Sequence, residues 1–355
     1  MITDRGNMAA CRLMSFGAIF LSVAFLSARA QSPPTRASTS LGLSSAQIAF
    51  ASNRDGNWEI YVTDASGRSQ RRLTRREVQD RFPLWSPNGA QIAFGSQVNQ
   101  RWELWVMDSN GTRQRQLYAP IVAKSARGWS RDSKRIAFTA VADENLDVYS
   151  VDVESTQVTR LTSSRGEDRD PSWSPDGTRL AFSSTRDGNS EVYVMQADGS
   201  DLRRLTNDSA ADTSPTWSPD GSAIAFVSDR DRVQDLYLVR PDGQGLTRLT
   251  VGAGLTNDLP KWAPDASRIA FQIVRGKNYD IGIVRVAERT QTDFARSSAY
   301  DGMYTWSPDS GRLVFISGRD GVDSLYSADV DGTHPLRLSA TPSINPEWLI
   351  NWKDR

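Results

Sequence analysis

The sequence predicts an all-β fold, a seven-bladed β-propeller made of four-stranded antiparallel sheets. Tryptophan recurs at intervals of 42 to 45 residues, and each unit holds four short apolar segments separated by turn residues. A fixed period of this size is typical of repeat architectures, and segments rich in β-branched and aromatic residues disfavour helices. The tryptophans that define the period are Trp85, Trp129, Trp173, Trp217, Trp262, Trp306 and Trp348.

The four segments of each unit follow one another in a constant order. The first carries the tryptophan, and the second is an Ile-Ala-Phe-like strand. The third has an aromatic or aliphatic centre, as in residues 191–194, and the fourth is Arg-Leu-Thr-like, as in residues 204–206. The second strands begin at Ile48, Ile92, Ile136, Leu180, Ile224, Ile269 and Leu313. Four strands per unit without a helix favour a radial propeller over a β-solenoid, whose coils have shorter periods.

The turn between the first and second strands has a hairpin signature, seen as Ser-Pro-Asp-Gly in residues 174–177. Proline holds φ at about −65°, and glycine accepts the left-handed conformation that closes the turn. Three units have Ser133, Ala266 or Ser310 in place of this glycine. We expect those turns to carry about 1 kcal/mol of strain or to be built slightly differently.

The order of the segments at the two ends of the chain predicts how the ring closes. Ile48 begins a second strand before any tryptophan motif, and the last motif, Asn-Pro-Glu-Trp in residues 345–348, supplies a first strand. An open ring would expose two strand edges. We therefore expect the C-terminal strand around Trp348 to join the blade that begins at Ile48.

The N-terminus predicts export from the cytoplasm. Arginines precede an apolar run in residues 13–26, and Ala-Arg-Ala in residues 28–30 offers a signal cleavage site. We expect a signal peptide over residues 1–30, a flexible leader over 31–45 and a propeller over 46–355, in a periplasmic or secreted protein. The apolar run is shorter than the roughly 20 residues that a span needs, so we expect no membrane span after cleavage.

Composition excludes several classes of function. The lone cysteine, Cys11, lies within the expected signal peptide, so the mature chain has no thiol catalyst and no disulfide. The formal net charge of +0 gives no electrostatic reason to expect nucleic acid as a partner. We expect a monomer that binds a protein or peptide.

The repeated pattern Asp-x-x-Pro-x-Trp-Ser-Pro-Asp-Gly, followed by Ile-Ala-Phe, Arg-Asp-Gly-Asn, Tyr-Val, Asp-Gly and Arg-Leu-Thr, resembles the WD40-like PD40 repeats of the TolB propeller family. The resemblance covers nearly all of the mature chain and implies the fold. It does not define the function, because the same propeller hosts binding proteins and enzyme domains. TolB-type rings have six blades, which is the alternative to the seven counted here, and we expect no counterpart of the TolB N-terminal domain between residues 31 and 45.

In PD40 propellers the tryptophan strand is the innermost, which places the acid that precedes it near one mouth of the channel. The acids at this position are Asp80, Asp168, Asp212 and Asp301, five residues before a tryptophan, and Asp258, four before Trp262. Either they cap the backbone of the connecting loops, or they form a binding mouth whose negative potential attracts a basic peptide or a metal ion.

Other segments suggest weaker candidates. Residues 53–59 space oxygen side chains two apart as calcium loops do, but a hairpin turn is required there, so we expect no cofactor and keep calcium as the alternative. Trp58 and Trp102 lie outside the blade register next to turns, which makes them candidates for exposed aromatics that contact a partner. The periodic tryptophans themselves we expect to form core between blades.

The single histidine, His334, lies in a turn away from the acids, which argues against a Ser-His-Asp hydrolase and a histidine-ligated metal enzyme. We therefore expect a non-enzymatic scaffold that binds a protein or peptide at the channel mouth and loops, with a TolB-like role in the envelope or in transport. The alternative is a carbohydrate-active or peptide-cleaving enzyme that uses channel carboxylates, of which Asp168 and Asp170 are the close pair.

Overall fold

The computed structural model describes residues 46–121, 126–255, 260–294, 296–339 and 351–352. The regular secondary structure in these residues is β-strand, arranged as seven four-stranded antiparallel sheets. The prediction of seven blades is confirmed, and the six-bladed alternative is excluded. No helix in these ranges has the length and hydropathy needed to cross a bilayer.

Each blade takes four strands in hydrogen-bonded order. Blade 1 contains β28 (Asn351–Trp352), β1 (Gln47–Ser52), β2 (Glu59–Asp64) and β3 (Gln70–Arg72). Blade 2 contains β4 (Gln79–Trp85), β5 (Gln91–Val98), β6 (Arg101–Asp108) and β7 (Arg115–Ile121). Blade 3 contains β8 (Ala126–Trp129), β9 (Arg135–Ala142), β10 (Asn145–Asp152) and β11 (Val158–Arg160). Blade 4 contains β12 (Asp168–Trp173), β13 (Arg179–Ser184), β14 (Glu191–Gln196) and β15 (Arg203–Arg204).

The remaining three blades follow the same plan. Blade 5 contains β16 (Asp212–Trp217), β17 (Ile224–Ser228), β18 (Asp235–Val239) and β19 (Thr247–Arg248). Blade 6 contains β20 (Lys261–Trp262), β21 (Arg268–Arg275), β22 (Asn278–Arg285) and β23 (Thr290–Phe294). Blade 7 contains β24 (Asp301–Trp306), β25 (Arg312–Ser317), β26 (Ser324–Asp329) and β27 (Leu336–Arg337).

The C-terminal strand closes the ring, as predicted, but at a position a few residues beyond Trp348. Trp352 is the backbone partner of Ile48, just as Trp173 is the partner of Leu180 in blade 4. Trp352, which is not among the periodic tryptophans named from the sequence, therefore holds the seventh tryptophan position. Trp348 itself lies outside the described residues. The Pro-x-Trp motif predicted Trp348 as the closing tryptophan. The register of β28 depends on its pairing with β1, and the motif carries no information about that pairing.

The six periodic tryptophans that the structure describes form core between neighbouring blades, as predicted. Trp173 packs in one cluster with Ala137 and Val148 of blade 3 and with Leu180 of its own blade. The Arg135 guanidinium of blade 3 lies 4.7 Å from the centroid of the Trp173 ring. Each blade thus covers the apolar face of the next, which stabilises the ring through apolar burial and cation–π contacts.

The turns beside the tryptophans have the predicted backbone conformation. Gly177 has φ 70°, and the three replacements share this left-handed region, with φ 62° at Ser133, 58° at Ala266 and 58° at Ser310. The two serine hydroxyls also bridge blades, because Ser133 Oγ accepts a hydrogen bond from the backbone amide of Asn88 at 3.1 Å. Serine therefore compensates part of the backbone strain through a contact that alanine cannot make.

Candidate functional site: the channel and its two ends

The channel runs along the first strand of each blade. The first strands of consecutive blades contact one another from β12 through β16, β20, β24 and β28 to β4, which makes them the innermost strands. In β12, Asp168 pairs with Ser184 at one end and Trp173 pairs with Leu180 at the other. We call the two ends of the channel the acidic end and the tryptophan end.

At the acidic end of blade 4, Asp168 is buried in an ion pair. It has no exposed surface, and its carboxylate accepts hydrogen bonds from Arg186 Nη2 at 2.9 Å and Ser164 Oγ at 3.1 Å. Arg186 follows Asp168 by 18 residues, in the turn between the second and third strands. Its guanidinium lies over Phe182 and Tyr193, 5.3 and 4.9 Å from the ring centroids. The aspartate, the arginine and the aromatic pair thus form one packed unit.

The same unit recurs in blades 5 and 7. Arg230 Nη2 lies 2.7 Å from a carboxylate oxygen of Asp212, and Arg319 Nη2 lies 3.3 Å from one of Asp301. Both aspartates have no exposed surface. Burial raises the pKa of Asp212 and of Asp301, while the arginines oppose the rise.

Blade 2 departs from this arrangement. Asp80 has no exposed surface, but the residue that follows it by 18 is Val98 instead of arginine. Arg76 Nη1 lies 3.7 Å from Asp80 Oδ1, which is an ion-pair contact beyond hydrogen-bonding distance. Burial raises the pKa of Asp80 to about 6, and the neighbouring Glu59 carboxylate adds to the rise.

These placements bear on the predicted acidic mouth. The four described aspartates do not present carboxylates to the channel opening, because each is fully buried. Asp258 lies outside the described residues. Burial favours a structural role for these aspartates over a role in binding. Their contact with a partner stays a prediction.

A second set of buried acids, which was not among the residues predicted from sequence, begins the third strand of several blades. Glu191 accepts hydrogen bonds from Arg204 Nη2 at 2.8 Å, Thr206 Oγ1 at 2.5 Å and the Asp208 amide at 2.8 Å. The equivalent acids are Glu59, Asp147 and Asp235, each bound to the arginine and threonine of its fourth strand. The signal was available, because an acid precedes Arg-x-Thr by a constant 13 residues. These acids hold the fourth, outer strand against the third strand of the blade.

The two aromatic candidates are less exposed than predicted. Trp58 has only 8% of its surface exposed, and the Arg81 guanidinium lies 4.7 Å from its ring centroid. Trp102 is half-buried, with its ring centroid 5.0 Å from that of Phe82. Trp58 was predicted as exposed because it adjoins a turn, but the first strand of blade 2 covers it.

The tryptophan end of the channel is open. A cavity of about 1040 Å³ lies there, lined by residues of blades 2 to 7. Its wall includes Trp85, Trp129, Trp173, Trp262 and Trp306, together with prolines of the adjoining turns such as Pro175. The acids of the sequence motif instead predicted a binding mouth at the other end of these strands.

Three charged side chains interrupt this aromatic and proline-rich wall. Arg131, which replaces the proline of the hairpin turn, is exposed, and Lys261 and Asp309 also line the cavity. Hydrogen bonds from the Ser174 hydroxyl and the Thr178 amide lower the pKa of Asp176 to about 2. The mouth therefore combines apolar surface with charges of both signs.

The segment considered for calcium forms the expected hairpin turn. Asp55 accepts a hydrogen bond from the Tyr61 hydroxyl at 2.5 Å, and Asn57 Nδ2 donates to the Arg76 carbonyl at 2.9 Å. Within the described ranges, no group of three or more His, Cys, Asp or Glu side chains is placed to hold a metal ion. His334 is exposed and lies 2.9 Å from Asp329, in an outer turn.

The fold and its channel define a closed seven-bladed propeller with an open mouth at the tryptophan end. The resemblance to PD40 repeats is confirmed by a model of this family, the TolB beta propeller domain, which matches residues 95–258. A search of curated proteins finds no match.

Solved structures with similar folds include both a Tol protein and enzymes. TolB from Acinetobacter baumannii is 20% identical, with 88% of this chain and 68% of that chain covered and a TM-score of 0.56. An oligogalacturonate lyase in complex with manganese is 18% identical, with coverages of 80% and 85% and a TM-score of 0.66. A Mycobacterium tuberculosis puromycin-hydrolyzing peptidase is 15% identical, with coverages of 80% and 50% and a TM-score of 0.65. At these identities the similarity is one of fold, and this chain spans half of the peptidase.

Proposed function

We propose that this protein is a periplasmic or secreted β-propeller scaffold that binds a protein or peptide partner at its channel mouth and loops. The observation that carries the proposal is the cavity of about 1040 Å³ at the tryptophan end. Its volume is at the upper end of the range for ligand pockets, which suits an inserted peptide segment. The TolB-like propeller supports a role in the cell envelope, and the N-terminal signal supports export.

The lining of the cavity indicates how a peptide would be held. Aromatic edges and prolines offer apolar contact at little entropic cost, and tryptophan and arginine are enriched among the residues that dominate binding energy. Arg131 and Asp309 lie on different blades, so they can orient a bound segment through opposite charges. The channel wall is already packed by the blade core, which reduces the ordering cost of binding.

The test is a crosslinking pull-down from the native cell envelope, using a variant in which two charges at the channel mouth are reversed. The double variant Arg131→Glu/Asp309→Arg should lower partner capture by about tenfold, since losing two oriented charge contacts costs about 1.4 kcal/mol or more. The matched control is Arg203→Glu/Asp201→Arg, which reverses an exposed ion pair on the outer rim with a distance of 2.9 Å. Equal capture by both double variants would remove the mouth from the proposal.

The aspartates of the acidic end need a separate test, since their contact with a partner is still a prediction. Asn replacement of Asp168, Asp212 and Asp301 should weaken capture if they contact the partner. Because each is buried in an ion pair, the free energy of unfolding must be measured on the same variants to separate binding from folding. Turnover of polysaccharides or peptides by the purified protein, lost in this triple variant, would favour the enzyme alternative over the scaffold.

A further inference from the structure

The connection from blade 1 to blade 2, residues 74–79, is tied down at its backbone. Asn57 Nδ2 donates hydrogen bonds to the carbonyls of Arg76 at 2.9 Å and Val78 at 2.7 Å. The Arg76 amide donates to Glu59 Oε1 at 3.2 Å. These contacts hold the path of the chain but do not involve the Asp80 carboxylate at its end.

The connection from blade 3 to blade 4, residues 162–167, gives an internal comparison. Asn145 Nδ2 donates to the Ser164 carbonyl at 2.8 Å, which matches the role of Asn57. In contrast to Asp80, the aspartate that ends this connection accepts hydrogen bonds from both Ser164 Oγ and Arg186 Nη2. Its buried charge is therefore paired with a cation and hydrogen-bonded.

The first connection differs from the second at two equivalent positions. Val98 stands where blade 4 has Arg186, and Arg76 stands where it has Ser164. The Arg76 guanidinium lies 3.8 Å from the ring centroid of Trp105 and reaches Asp80 only to 3.7 Å. Arg76 Nη1 and both carboxylate oxygens of Asp80 are buried without a hydrogen bond of normal geometry in the described part of the chain, and the nearby Ser96 and Thr74 hydroxyls offset only part of the rise in the pKa of Asp80. Arg76 thus supplies the missing positive charge, but with poor geometry.

The other charged groups around Asp80 do not improve its position. Glu59 on β2 is already bound by Arg72 at 2.7 Å, and its negative charge opposes a second carboxylate. Glu103 on β6 accepts a hydrogen bond from Trp105 Nε1 at 2.9 Å. Among the described residues, Arg76 is the cation within ion-pair distance of Asp80. A buried carboxylate in these surroundings is more stable with a proton.

We infer that Asp80 and Arg76 form a proton-operated latch on the 74–79 connection. The latch is closed while the Asp80 carboxyl carries a proton taken from solvent. It loosens when that proton returns to solvent, because opening of the connection hydrates the ionised carboxylate and relieves its burial. Opening also exposes the side chains of the connection at the acidic end of the channel.

The sign of the pH response follows from the same linkage. Burial raises the pKa of Asp80 from 3.8 to about 6 in the closed state. Hydration in the open state returns it toward the ordinary value, so opening releases a proton. Between pH 5 and pH 7.5 the population of the open state should therefore rise about tenfold. This inference does not depend on the proposed function.

Amide hydrogen exchange on the mature protein tests the latch. After correction for intrinsic exchange rates, the 74–79 connection should open about tenfold more often at pH 7.5 than at pH 5, while the 162–167 connection stays constant. Asp80→Asn should remain closed and show no pH response. Arg76→Gln should move the midpoint to higher pH, because it removes the opposing cation. Equal responses in both connections, or a response that persists in Asp80→Asn, would overturn the inference.

Discussion

At the scale of single residues, aspartates at equivalent positions differ in how their buried charge is paired. Asp168 is bound by Arg186, whereas Asp80 is buried with an ion pair of only 3.7 Å. We predict that Asp80→Asn raises the free energy of unfolding at pH 7.5 by about 3 kcal/mol, since burial raises the pKa of Asp80 from 3.8 to about 6 and each unit costs about 1.4 kcal/mol. Asp168→Asn should lower it by about 3 kcal/mol, because Arg186 loses its acceptor. Urea unfolding of the two variants and the wild type measures both.

The pH dependence provides the control for this pair. The folded-state pKa of Asp80 is raised above the ordinary 3.8, so its destabilising effect is complete above about pH 6 and absent below pH 3.8. The increase in the free energy of unfolding caused by Asp80→Asn should therefore vanish at pH 4. A gain of the same size at pH 4 and pH 7.5 would mean that the substitution acts through packing instead of charge.

At the scale of the element, the turns beside the tryptophans separate backbone strain from hydrogen bonding. Ala266 has φ 58°, and Ala266→Gly should raise the free energy of unfolding by about 1 kcal/mol by removing strain. Ser133→Gly removes the same strain but also the hydroxyl that accepts the Asn88 amide at 3.1 Å. Its net effect should be near zero, because that hydrogen bond contributes about 1 kcal/mol. Thermal unfolding of the two variants compares them, and an equal gain in both would show that the interblade bond contributes nothing.

The elements were largely predictable from sequence because period-2 strands and Pro-Gly turns leave strong local signals. The turn at Ser133 illustrates this, since the missing glycine correctly predicted a strained backbone. The position of the closing strand was not predictable to the residue, because pairing between Ile48 and Trp352 joins the two ends of the chain. Nothing local to residues 345–352 defines that register.

The site was harder to predict than the fold for the same reason. Spacing from the tryptophan identified Asp168 as an acid of the channel strand, but its burial depends on Arg186, which lies in the next turn of the blade. The cavity at the tryptophan end arises only when residues from six blades converge, so no single repeat reveals it. In blades 4, 5 and 7 the recurring acid therefore belongs to a buried ion pair.

At the scale of the whole molecule, the closing strand makes the ring one cooperative unit. β28 covers the edge of β1 through the pairs Ile48 with Trp352 and Ala49 with Asn351. Removal of residues 351–355 would leave β1 as an exposed edge and uncover the apolar faces of blades 1 and 2. We predict that this deletion lowers the free energy of unfolding by at least about 3 kcal/mol, through lost backbone pairing and apolar burial.

Deletion of residues 353–355 alone is the matched control, since it retains β28, and its free energy of unfolding should match that of the full chain. Urea unfolding followed by tryptophan fluorescence should show one transition for the full chain and two for the longer deletion, because blade 1 then unfolds before the other blades. Size-exclusion chromatography should show self-association of the longer deletion through the exposed edge of β1. A single transition of unchanged midpoint in both deletions would mean that packing between blades, without the closing strand, is sufficient to hold the ring.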